Sequence, residues 1–227
     1  MVRTQNRYVF MAMGGLGMTK IVQCFALVAC LFLLGAANVS ADYTQQDCDK
    51  FYFSAQYDEA YQCIESMASE GDPQSQFNLA VLYHLGQGVE KDTSKTIYWL
   101  TRAAENGHPN AQFGIGAAYE AGFGVDKDLV AAAKWYSMAA NQGHAAAQTN
   151  LGVMYGNGEG VEQNSIEALK WFRLAAFSGS SKAKRNAEVL AQHMTDEDIL
   201  EADAMAAAWE PVASGNVSPL SNPSVHK

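Results

Sequence analysis

Ser181-Lys182-Ala183-Lys184 has the S-x-x-K spacing of the serine nucleophile in penicillin-recognising enzymes, where a lysine amine beside the hydroxyl takes part in proton transfer. The chain carries neither the S-D-N nor the K-T-G run that completes such a site, so the tetrad also reads as the polar start of a helix. Gly-x-Gly pairs at 86/88, 122/124 and 158/160 raise phosphate binding as a second chemistry, but no strand precedes them and no Lys-Ser/Thr follows. Among the histidines, His84, His193 and His226 are isolated, and His108 and His144 lie 36 positions apart. With no CxxC or HExxH pattern, no metal site or cofactor is expected and no catalytic residue is assigned.

What these residues share is a period. Tyr83, Tyr119 and Tyr155 are each followed in step by the Gly-x-Gly pair and then by Val89, Val125 or Val161. Trp99, Trp135 and Trp171 keep the same spacing of 36, as do Ala103-Ala104, Ala139-Ala140, Ala175-Ala176 and Gly107, Gly143, Gly179. A period of this length signals stacked supersecondary units, none of which can bury its apolar face alone. The glycine pairs are then turns. Stacking also places His108 and His144 about 10 Å apart, the spacing of packed helices, which is too far to share one zinc directly.

Residues 107–143 show what one unit builds. Pro109 suits a first helical turn, where its missing N–H has no partner to lose. Ala111, Ile115 and Tyr119 recur at i, i+4, i+8 on one apolar stripe of a helix A, which Gly122 ends. Asp128, like Asp92 and Asn164 in the other copies, offers a side-chain oxygen to the start of a helix B, and Glu167 three residues after Asn164 would complete a capping box. Ala132, Trp135 and Ala139 then carry helix B to Gly143. Each unit is an antiparallel helical hairpin, and the fold class is all-α: an alpha-alpha superhelix, or solenoid.

These positions resemble the Sel-1-like repeat, a relative of the tetratricopeptide repeat, over residues 71–179. Copies two and three meet its pattern almost in full, whereas the first has Ser75, Ala80 and Thr96 in place of alanine, glycine and alanine. The expected organisation is a signal peptide (1–41), an N-terminal capping hairpin (42–70), repeats at 71–106, 107–142 and 143–178, C-terminal capping helices (179–210) and a disordered tail (211–227). In the last capping segment, Thr195 with three acidic residues starts a helix whose Ile199, Ala202, Ala206 and Trp209 share a face before Pro211.

Residues 1–41 hold three basic and no acidic side chains, an apolar run from Ile21 to Ala37 and Val39-Ser40-Ala41, so a secretory signal cleaved after Ala41 is expected. Met18-Thr19-Lys20 would also make an ordinary start to such a signal. Two other readings share this leader: a lipobox at Leu27-Val28-Ala29-Cys30, and an uncleaved anchor, since its 17 apolar-leaning residues reach the lower limit of a span. All three put the repeats outside the cytoplasm, periplasmic or secreted. Cleavage leaves 186 of 227 residues, and loss of three of 15 basic side chains against 24 acidic ones leaves a charge near −12. Such a surface repels phosphate backbones and anionic headgroups, so neither nucleic acid nor membrane insertion after signal cleavage is expected.

The resemblance implies a non-enzymatic scaffold or adaptor that binds a protein partner of the cell envelope. By analogy with tetratricopeptide repeats, the binding groove is lined by Phe77, Val81 and His84, then Phe113, Ala117 and Glu120, then Thr149, Val153 and Gly156. Burial between neighbouring helices A is the alternative for Val81 and Val153. Phe77 and Phe113 are read as anchors for a partner segment, with His84 and Glu120 adding polar selection. Alternative functions are the penicillin-recognising hydrolase of cysteine-rich relatives, whose paired cysteines the repeats here lack, and a glycan- or peptidoglycan-binding module using exposed aromatics.

A chain cleaved after Ala41 keeps only Cys48 and Cys63. Two short helices, 47–54 and 57–69, meet near Ala55 and Gln56, and both cysteines lie equally far from that turn, so they face each other. An oxidising compartment favours their pairing. Closing this loop contributes about 3 kcal/mol. Thiol counting on denatured, unreduced protein is expected to find no free cysteine in the cleaved chain; two free thiols would refute the pairing.

Overall fold

In each repeat a capping side chain opens both helices, a glycine closes the first and a polar residue closes the second. The computed structural model describes residues 43–213, and the leader and the end of the tail lie outside them. Among the described residues there are ten helices and no strand: α1 (Gln45–Phe53), α2 (Tyr57–Ser69), α3 (Pro73–Leu85), α4 (Thr93–Glu105), α5 (Pro109–Ala121), α6 (Leu129–Asn141), α7 (Ala145–Asn157), α8 (Ser165–Phe177), α9 (Ser181–Ala191) and α10 (Asp196–Ala207). Helices α3, α5 and α7 are the helices A, and α4, α6 and α8 the helices B. Each helix A packs on its own B and on the B before it, so the hairpins stack into the expected all-α solenoid.

Asp92, Asp128 and Asn164 cap the helices B as their spacing predicts, accepting hydrogen bonds from backbone N–H groups of the first turn. The capping box at Asn164 is not formed. The Asn164 N–H already donates to the Tyr155 carbonyl at 2.9 Å, leaving nothing for Glu167, which instead pairs with Lys170 at 3.0 Å. The same backbone bond ties Asp92 to Tyr83 and Asp128 to Tyr119, fixing how far helix B starts from helix A.

The two glycines of each turn do different work. Gly158 closes α7 in the left-handed conformation. Gly160 is also left-handed, and a Cβ there would lie 2.1 Å from the Leu129 carbonyl oxygen at the start of the previous helix B. Gly88 meets Tyr57 in the same way. The second glycine is thus a contact between repeats as well as a turn residue.

A buried polar ladder runs beside the alanine pairs. Gln76, Gln112 and Gln148 recur one period apart on the helices A, and each Nε2 donates to the carbonyl of Ala68, Ala104 or Ala140 at 3.1–3.2 Å. The Oε1 of Gln76 accepts from Asn106, and that of Gln112 from Gln142, at 2.8 and 2.7 Å. At the third step Ser178 stands where Asn106 and Gln142 stood, and the buried Gln148 Oε1 has no hydrogen-bond partner.

The ends depart from the repeat. Cys48 and Cys63 are disulfide-bonded between α1 and α2, with Cα atoms 5.4 Å apart. Helix α10 stops at Ala207, short of Trp209, and packs on α8, where Ala202 is buried and Asp203 meets Arg173 at 2.9 Å. Beyond it Trp209 lies against Gly143, and the Val212 N–H donates to the Asn141 carbonyl at 2.8 Å.

The gap in the ladder makes a prediction. Ser178 and Asn106 share a backbone conformation at the ends of their helices, so asparagine fits there unstrained. Ser178→Asn supplies the donor that Gln148 lacks and is expected to stabilise the protein by about 1 kcal/mol, read as a higher urea midpoint at unchanged m-value.

Candidate functional site

Helices α3, α4 and α5 leave an open cleft of about 310 Å³ at the junction of the first and second repeats. Its walls are Ala80, Val81 and His84 from α3, Thr96 and Leu100 from α4, Gly114, Ala117 and Ala118 from α5, and Phe123 from the turn that follows. Three of the groove positions read from the sequence, Val81, His84 and Ala117, therefore share one space. The lining is almost wholly apolar. The Thr96 hydroxyl is occupied, donating to the Asp92 carbonyl at 2.7 Å, and the His84 ring meets Phe123 edge to face at 5.7 Å.

Glu120 has a different task from His84, its counterpart one period earlier. It accepts a hydrogen bond from the Tyr136 hydroxyl, whose pKa burial first, and this bond second, push up, so that the phenol stays protonated. Glu120 therefore holds a side chain of its own protein.

Phe77 and Phe113 are half-buried and engaged in joining repeats. Phe77 stacks on His108 with ring centroids 4.7 Å apart, and Phe113 on His144 at 4.8 Å. In the third repeat both partners change together: Thr149 faces Ser180, with their hydroxyls 3.3 Å apart. Phe77 also borders the core formed by Ala103, Ala104, Ala111 and Ile115.

The histidines that sequence reading set aside are helix caps. His108 Nδ1 accepts from the Ala111 N–H at 3.2 Å, and His144 Nδ1 from the Ala147 N–H at 3.1 Å. An accepting Nδ1 puts the ring proton on Nε2, which in His108 donates to Gln74 of the preceding repeat at 3.1 Å. Burial lowers the pKa of both rings; Asp72 opposes this at His108, and the His144 charge adds to it. The available signal was their place one residue before each helix A, where Asp72 and Ser180 also stand.

Ser181 and Lys184 are both exposed in the first turn of α9, with no hydrogen bond between them, while the neighbouring Ser180 caps the helix. Among the described residues no cluster of His, Cys, Asp and Glu has the makings of a metal site, and no helix is long and apolar enough to cross a membrane.

Residues 73–108, 109–144 and 145–180 each match the family model of the Sel1 repeat. Among solved structures, the chain is similar to a Sel1 repeat protein from Oxalobacter formigenes: 34% identity and a TM-score of 0.62 over 64% of this chain and 60% of that one. It is also similar to a protective antigen present in uropathogenic Escherichia coli strains that displays an SLR fold, with 29% identity and a TM-score of 0.62 over 73% of this chain and 38% of that one. This chain thus spans less than two thirds of the length of either. No curated protein matches it.

The two capping histidines make stability depend on pH. Their folded pKa values lie below the unfolded value of about 6.5, so protons bind the unfolded chain first. Their contribution is fully present above about pH 6.5 and is lost as pH falls through the lowered folded values. Melting temperature is expected to drop over this range, and more shallowly in the His108→Asn/His144→Asn variant, which keeps both caps but cannot titrate. An unchanged slope would show that the rings are not responsible.

Proposed function

Since this chain is a Sel1-repeat protein, with three tandem copies over residues 73–180, we propose that it is a non-enzymatic scaffold of the bacterial cell envelope, periplasmic or secreted, that takes a segment of a partner protein between repeats one and two. The observation that carries this reading is the apolar cleft, because groove positions derived from the repeat pattern converge on it. Val81, His84 and Ala117 form its floor and wall. Phe77, Phe113 and Glu120 lie outside its lining, the two phenylalanines stacked on their histidines and Glu120 engaged by Tyr136. An apolar surface of this kind suits the hydrophobic anchors of an extended or helical peptide.

Location outside the cytoplasm is supported by the basic then apolar leader and by the Cys48–Cys63 bond, which an oxidising compartment maintains. The similar Escherichia coli protein, a protective antigen, accords with that placement.

Photo-crosslinking in intact cells tests the reading. A photoreactive residue at Val81 is expected to capture a discrete partner, whereas one at the exposed Lys134 on α6 is not. Ala117→Trp, which fills the cleft, should weaken capture about tenfold or more, equivalent to about 1.4 kcal/mol. Equal capture from both positions, or full capture by the filled variant, would remove the cleft from the function.

A further inference from the structure

The three repeats share a backbone but fill one slot of it differently. In the second, Gly116 of α5 lies under the Tyr136 ring of α6, and a Cβ on that glycine would be 2.8 Å from the ring. In the third, Gly152 lies under Phe172 at 2.7 Å. The pair in the first repeat is Ala80 and Leu100: no ring lies there, the Ala80 methyl takes the place that a ring overlies in the other copies, and Leu100 turns its methyl groups toward Gly114 of the next helix A. The next helix A compounds the difference, because Gly114 and Ala118 stand where Asn150 and Met154 stand one period later. The cleft of about 310 Å³ lies at these substitutions, bounded by Ala80, Leu100, Gly114 and Ala118. Its volume is at the bottom of the range of about 300–1,000 Å³ for ligand pockets, the scale of a side chain rather than a large cofactor.

The polar edge is matched as well. The Tyr136 hydroxyl donates to Glu120, and the residue one period before Glu120 is His84, on the cleft wall. Among the described residues His84 makes a ring contact with Phe123 and no hydrogen bond, while the other polar side chain in the lining, Thr96, is already engaged.

We propose that the cleft receives a tyrosine side chain presented by the partner segment, its ring over Leu100 and Gly114 and its hydroxyl donating to His84, as Tyr136 does internally to Glu120. The inference rests on the groove reading above and names the chemistry of its anchor. A phenylalanine fills the slot but lacks the hydroxyl, and a leucine leaves part of the ring volume empty.

The test uses acetylated, amidated pentapeptides Ala-Ala-X-Ala-Ala, with X as Tyr, Phe or Leu, titrated into the isotope-labelled protein and followed by NMR. The tyrosine peptide is expected to shift the amides of Ala80, Gly114 and Ala117 and to bind about threefold to tenfold tighter than the phenylalanine peptide, with leucine weakest. His84→Ala should erase the preference for Tyr over Phe. Refilling the slot with the residues found one period later (Ala80→Gly, Leu100→Tyr, Gly114→Asn) should abolish the shifts in a folded protein; Leu100→Phe alone serves if the triple variant unfolds. Leucine binding as tightly as tyrosine, absence of shifts at the cleft, or binding that survives refilling would each overturn the proposal. Crosslinking from Val81 that refilling abolishes, together with peptides that bind with no preference for tyrosine, would leave the groove reading intact while the tyrosine anchor fails, whereas no capture by the wild-type chain would sink the groove reading itself.

Discussion

The stack depends on satisfying the carbonyls at the end of one helix B inside the next repeat. The Ala103 carbonyl accepts from the His108 N–H, and the Ala104 carbonyl accepts from both the Gly107 N–H and the Gln112 side chain. With the Gly107 N–H already on this carbonyl, the glutamine amide adds a second bond, a net contribution of about 0.5–1.5 kcal/mol, and sets the register of helix A against it. In all three steps the accepting carbonyl belongs to a buried alanine, Ala68, Ala104 or Ala140, which connects the alanine pairs to the glutamines. The stacked Phe and His rings and the second turn glycine close the same junction from other sides.

The bond from glutamine to an alanine carbonyl recurs in each copy, while the side chains around it vary. The slot beneath helix B varies too: Tyr136 and Phe172 fill it, and Leu100 does not. A repeat array can thus acquire a binding site by omission, keeping its stacking geometry while one copy gives up a ring. Two of the first copy's three departures from the common pattern, Ala80 and Thr96, lie in the walls of that site, and Ser75 does not.

The stacked hairpins, the turn glycines and the caps at Asp92, Asp128 and Asn164 were legible in the sequence, since each follows from local conformational preference repeated without insertion. The disulfide was legible from its symmetry about a turn. The glutamine ladder was hidden although its period is plain, because a polar residue on a helix reads as solvent-facing until its carbonyl partner in another repeat is known. Histidine is an uncommon helix cap, so the role of His108 and His144 went unread, and with it the stacking that holds Phe77 and Phe113. Glu167 was misplaced because the tertiary bond from Asn164 to Tyr155 competes with a local motif. Of the cleft, the positions Val81, His84 and Ala117 were legible but its depth was not: the absence of a ring at Leu100 has meaning only once Gly116 and Tyr136 are seen to touch.

Trp209 and Val212 change how the far end of the array comes apart. In a simple solenoid each unit touches only its neighbours, so the terminal one frays by itself and the rest follow in small steps. Here the segment after α10 crosses back from α8 to the end of α6, with the indole against Gly143 and a backbone bond to Asn141. Peeling α10 away exposes the edge of the second repeat along with that of the third. Loss of the C-terminal helix therefore spreads across two repeats, and under heat or mechanical load this end yields as one cooperative block instead of unravelling turn by turn.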